Sequence, residues 1–193
     1  GSTGKLAAQI RHGAPYDLFL AADTATPEQL VADGFAREEV SGVYARGRLV
    51  LVSALPQEAG ECEAVLQSED LRHLAVASPA LAPYGRAAQQ TLDALTLSSV
   101  LQSRLVRGEN VAQTMHFFVT GNAQAAFVAK AQLAGLSEQP ECIWLVPEDF
   151  HDPVDQGYVL LNGSGPGAAE LASYLTSPQI QARIQEFGYE LAD

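Results

Sequence analysis

The sequence predicts an α/β protein whose sheets are mostly parallel and flanked by helices, and three observations predict it. Short apolar runs alternate with helix-length segments along the whole chain, the pattern of parallel strands covered on both faces. The 193 residues are 47% hydrophobic and 18% charged, an ordinary globular balance rather than a disordered one. No internal repeat or low-complexity stretch breaks the alternation, and no apolar run approaches the roughly 18 residues a membrane helix needs.

In order, Ser2 and Thr3 start an amphipathic helix through Leu6, Ala7 and Ile10 that stops at Gly13. Tyr16 to Ala21 reads as a compact strand. Thr26-Pro27-Glu28-Gln29 reads as a helix start with Thr26 as cap and Pro27 as the first helical residue; Gly34 ends that helix. Gly47 to Ser53 and Leu74 to Ala77 are buried strands, with a short helix at Cys62 to Gln67 between them. Pro56 to Glu61 is the nearest thing to a linker, a polar surface loop. Next come a helix from Tyr84 to Leu95, a strand near Leu105, a helix from Asn110 to Thr120 and strands at Ala125 to Ala129, Cys142 to Val146 and Gly157 to Leu161. Two helices close the pattern, Pro166 to Leu175 and Pro178 to Phe187, the latter bounded by Ser177 and Gly188.

The 23 acidic and 11 basic residues leave a net charge of −12, which repels nucleic acid and anionic membrane surfaces at long range. It does not repel an anion from a site built of neutral donors, such as backbone N–H groups at helix starts and hydroxyls. The start of the sequence has no charged segment leading into an apolar one, so any export signal is expected either to have been removed or never to have been present. Cys62 and Cys142 are in no metal-ligand spacing, and they are either free thiols or one disulfide.

Three strand-to-helix turns gather donors. Gly1-Ser2-Thr3-Gly4 sets two hydroxyls and several amides before a helix; an ordinary helix cap accounts for the same residues. Ser78-Pro79-Ala80-Leu81-Ala82-Pro83-Tyr84-Gly85 follows an apolar strand and opens a helix, where ligands sit in open α/β sheets, and its two prolines leave the Tyr84 and Gly85 N–H groups at the helix start. In Glu109-Asn110-Val111-Ala112-Gln113, Asn110 is a good cap and Val111 falls among the first unbonded amides. A plain connecting loop explains the second segment as well as a ligand site does, and explains the third better. Catalytic machinery is missing: the four histidines have no HxxxH or HExxH spacing, and there is no GxSxG or GxxxxGK[ST] motif. Asp149, Asp152 and Asp155 cluster near Pro153, but not at the spacing of an EF-hand loop.

Taken together, the chain resembles the molybdate-binding receptors of bacterial ABC transporters. The resemblance is carried by GSTGKLAAQIRHGAPYDLFLAAD at 1–23, GRLVLVS at 47–53, LAVASPALAPYG at 74–85, GENVAQT at 108–114, TGNAQAAFVAKAQL at 120–133, WLVPEDFHDPVDQGYVLL at 144–161, and the closing YLTSPQIQARIQEFGYEL. It implies the two-lobed type II fold of periplasmic binding proteins, with residues 1–46 plus 159–193 as lobe one and 47–158 as lobe two, hinged near Gly47 and Tyr158. It further implies a tetrahedral oxyanion, molybdate or tungstate, held in the cleft by Ser2 and Thr3 hydroxyls and the Tyr84 and Val111 amides. No cofactor or enzymatic activity is expected, and the partner would be a membrane permease in a periplasmic setting. Where some family members present a tyrosine hydroxyl, this chain has Ala129, as another branch does. Family members also begin with roughly 35 further residues, a strand, a loop and a helix; the sequence is either truncated or that of a divergent protein that has lost this unit, and such a loss would be expected to leave sheet edges of the first lobe unpaired. An effector-sensing domain and a truncated form with impaired binding are the alternatives.

Overall fold

The computed structural model describes residues 1–58 and 61–191. Helix α1 (Thr3–Arg11), strand β1 (Leu18–Leu20), helix α2 (Ala25–Ala32) and the long strand β2 (Ala36–Gly47) lead into β3 (Leu49–Ser53). A 3-10 turn at Cys62–Gln67, β4 (Leu74–Ala77), α3 (Pro83–Ala94), the one-turn α4 (Ser98–Leu101), β5 (Leu105–Gly108), α5 (Val111–Val119) and β6 (Ala125–Ala129) follow. After β7 (Cys142–Leu145) and β8 (Val154–Leu161), helices α6 (Pro166–Leu175) and α7 (Pro178–Glu186) complete the order. The expected linker Pro56 to Glu61 contains Ala59 and Gly60, which lie outside the described residues.

The chain divides into two compact units, one of Gly1, Thr3–Gly47 and Val154–Asp193, the other of Ser2 and Arg48–Pro153. Gly47 and residues 154–158, expected in lobe two, belong to the first unit because β2 and β8 pair there, Val154 opposite Gly47 and Asp155 opposite Arg46, while Ser2, expected in lobe one, groups with the second unit.

In the first unit β8 lies between β1 and β2 and is antiparallel to both. One face buries Phe19, Val159 and Leu161 against Ala7 and Ile10 of α1 and Leu30 of α2, apolar positions three and four apart on the helices meeting alternate positions on the strands. Strand β2 is absent from the sequence reading. Arg37-Glu38-Glu39 shows no apolar alternation, and the ladder slips between Arg37 and Ser41 and again between Val43 and Ala45, so its bulges erase the period of two. The cap of α2 also differs. The helix begins at Ala25, and the Asp23 carboxylate accepts from the Thr26 N–H at 3.0 Å, because a carboxylate is a stronger acceptor than the expected threonine hydroxyl at a helix start.

The second unit is a five-stranded sheet in the order β5-β4-β6-β3-β7. Strands β3, β4 and β6 are buried along their entire length, which explains their uninterrupted apolar runs. Met115, Phe117 and Phe118 of α5 cover one face with Leu133 and Leu136. Only β4 makes parallel pairs, to β5 and β6, whereas β3 is antiparallel to β6 and β7. The expectation of mostly parallel sheets is corrected accordingly. Strand β3, which leaves through a loop and a 3-10 turn, lies between β6 and β7 and runs against both, so those two strands point the same way on either side of it. Cys62 and Cys142 form a disulfide with Cα atoms 5.6 Å apart, tying that turn to edge strand β7. Among the described residues no helix is long and apolar enough to cross a membrane.

Candidate functional site

Because β5, β4 and β6 run parallel, their carboxyl ends meet at one edge of the sheet, the edge at which open α/β sheets take ligands. From β4 the chain turns through Ser78 into α3. Its Ala82 carbonyl accepts from the Gly85 and Arg86 amides at 2.9 and 3.2 Å, Pro83 has no N–H, and Tyr84 is the other amide-bearing residue of that turn, 4% exposed. Gly85 lets the helix start press on the strand end: a Cβ there would stand 2.4 Å from the Ala77 carbonyl oxygen.

From β5 the chain turns at Asn110 into α5. The Asn110 side chain accepts from the Gln113 amide at 2.9 Å, the Asn110 carbonyl accepts from Thr114 N–H at 3.1 Å, and Gln113 Oε1 accepts from Glu109 N–H at 2.7 Å. These bonds consume the inner amides of the first turn and leave the Val111 and Ala112 N–H groups without an acceptor among the described residues. The Ser78 amide donates to the Gly108 carbonyl at 2.7 Å, so the two turns are tied together. Tyr84 and Val111 thus stand at neighbouring strand ends of one unit.

Ser2 and Thr3 stand together at the start of α1. Thr3 is buried, and its Oγ1 accepts from the Ala22 amide at 3.2 Å, which leaves its hydroxyl proton to donate elsewhere. Ser2 is 3% exposed, and its Oγ has no hydrogen-bond partner among the described residues. A buried hydroxyl without a partner costs about 1 to 3 kcal/mol, so its presence calls for a cause.

Three further residues hold these donors in place. Gly85 and Gln113 were legible, the first as a glycine at a strand-to-helix turn and the second as the third residue after a cap. Gln132 was legible only in part: its oxygen accepts from the Ala129 amide three residues back, a local capping contact, whereas its amide nitrogen donates to the Val111 carbonyl, each at 3.1 Å, and no local pattern announces the second. A cavity of about 260 Å³ in the first unit contains none of the four donors; Glu28 and Glu38 line it and make it unsuited to an anion. Among the described residues no group of three His, Cys, Asp or Glu side chains could hold a metal ion. Of the clustered acids, Asp155 pairs with Arg46 at 2.7 Å and Asp152 accepts from Gln90 at 2.6 Å.

The model of the bacterial extracellular solute-binding proteins matches residues 1–190. The molybdate-binding protein ModA of Azotobacter vinelandii is 40% identical over 99% of this chain and 77% of its own length. That of Rhodobacter capsulatus is 38% identical over 98% and 75%. The solved structure of the Azotobacter vinelandii periplasmic molybdate-binding protein superposes with a TM-score of 0.93 at 35% identity, covering all of this chain and 86% of that one. The α/β fold with helix-flanked sheets is therefore the fold of that protein.

Proposed function

Because the chain belongs to the bacterial extracellular solute-binding proteins, we propose that it binds a tetrahedral oxyanion, molybdate or tungstate, and delivers it to the permease of an ABC transporter. The Ser2 hydroxyl carries the reading: a donor 3% exposed, with no partner among the described residues, at the start of a helix. A dianion there would gain the charge-assisted bond that a neutral interior does not offer. Thr3, Tyr84 and Val111 supply the other donors, all at helix starts whose dipoles favour negative charge.

Each hydrogen bond to a charged acceptor contributes about 1.5 to 3 kcal/mol, so a handful of neutral donors suffices for sub-micromolar binding after desolvation. No cofactor, resident metal or catalytic step takes part. Selection against the smaller sulfate follows from fixed donors that cannot close on a shorter anion without strain. The Cys62–Cys142 disulfide supports a periplasmic location, since such bonds persist in oxidising compartments. The effector-sensing alternative has no support among the relatives, whose names are those of binding proteins.

Thermal unfolding with molybdate, tungstate, sulfate and phosphate at equal concentration tests the reading. An anion present at 100 times its Kd adds about 2.7 kcal/mol of stability, and molybdate or tungstate should do so where sulfate and phosphate do not. Four coincident curves would reject it. Ser2→Ala with Thr3→Ala should diminish the shift, and His151→Ala should leave it intact.

A further inference from the structure

We infer that Gln132 is the positioning residue of the Val111 donor and thereby sets oxyanion selectivity, an inference that rests on the reading above. Three loops leave the carboxyl ends of β5, β4 and β6. The first two are tied by the Ser78 amide on the Gly108 carbonyl. The third is joined to them by the Gln132 side chain, which spans from the Ala129 amide to the Val111 carbonyl with both of its polar ends in use. Its own turn, Lys130–Gly135, is held by Leu133, which packs on the core that also contains Met115 of α5 and Val128 of β6.

A side chain anchored at both ends this way acts as a strut. On its far side, Asn110, Gln113 and Thr114 fix the same helix start from within α5. Val111 is thus held on both sides, through its own carbonyl by Gln132 and through the Asn110 carbonyl, which shares a peptide plane with the Val111 N–H, by Thr114, while that N–H keeps no acceptor among the described residues. A donor fixed on both sides cannot follow a smaller anion inward. Loosening it costs binding to the anion it was set for and narrows the difference between anions.

The test measures Kd for molybdate and for sulfate by titration calorimetry on the whole chain and two variants, with unliganded unfolding midpoints alongside. Gln132→Met keeps the bulk and removes both polar ends. It should unfold near the wild-type midpoint, bind molybdate about tenfold more weakly, and lose most of the molybdate-over-sulfate preference. Gln132→Glu retains the acceptor for Ala129 but offers no N–H to Val111, and should bind molybdate more weakly even in 0.5 M NaCl, where repulsion between carboxylate and ligand is screened.

Wild-type affinity and preference in Gln132→Met would overturn the role. So would an equal loss for both anions, the mark of general loosening. Should Gln132→Met not fold, Gln132→Glu decides: wild-type Kd at high salt overturns the strut, and a raised Kd upholds it. A wild-type chain that binds neither anion overturns the oxyanion reading itself, a result distinguishable from all the others.

Discussion

At the start of α5 one asparagine decides which amides face inward and which remain to donate. Asn110 accepts from Gln113 through its side chain and from Thr114 through its carbonyl. Asn110→Ala removes the first of these, and a lost cap of this kind costs about 1 kcal/mol; chemical denaturation should find that loss, and the molybdate shift should fall with it. Gly85 is a harsher case. A methyl group would meet backbone atoms at 2.4 and 2.8 Å, neither of which belongs to a flexible side chain. Gly85→Ala must push α3 off the end of β4, and we expect a lower unfolding midpoint together with loss of the oxyanion shift; a variant with both intact would refute the contact. The helix starts holding Tyr84 and Val111 were legible because a cap and a proline are local signals. The hold on Val111 by Gln132 was not, because the two residues are 21 positions apart and in different elements.

The elements differ in how much of themselves they displayed. Strands β3, β4 and β6 announced themselves as unbroken apolar runs since both faces are covered. Strand β2 stayed hidden because five of its 12 residues are exposed and its two register slips abolish alternation. Its outer edge is sheltered by distant sequence: the Arg46 and Glu190 backbones exchange hydrogen bonds at 2.8 Å, and Gln181 donates to the Tyr44 carbonyl at 2.8 Å. Beside this seam, burial and then the proximity of Tyr189 push the Tyr44 phenol up from 10.0 to about 12, and burial raises Tyr189 as well. The native chain therefore keeps protons that the unfolded chain has released between these values. Stability is unaffected below about pH 10 and falls as pH rises toward 12, at up to about 1.4 kcal/mol per pH unit for one such group. Midpoints measured from pH 8 to 12 should decline above 10 in the wild type and less steeply in Tyr44→Phe; parallel curves would show that Tyr44 does not contribute.

For the molecule as a whole the consequential covalent fact is the Cys62–Cys142 bond, whose two ends are 80 residues apart and both inside the second unit. Sequence left it undecided, since two cysteines fix no distance between them. In the chain-entropy view, closing a loop of that length removes about 4.5 kcal/mol of unfolded-state freedom. Cys62 is 4% exposed in a turn that packs against β3, so the bond also fastens edge strand β7 to the sheet that bears Tyr84 and Val111. Reduction should therefore act on one unit. Calorimetry of the oxidised chain and of Cys62→Ser with Cys142→Ser should show a lowered transition for the second unit, while the first unit, which contains neither cysteine, keeps its own. Since binding to the native state alone stabilises it by mass action, saturating molybdate should recover part of the loss in the variant. Equal displacement of every transition would mean that the two units unfold as one cooperative body, and no displacement would mean that the bond adds nothing to a sheet already held by its buried strands.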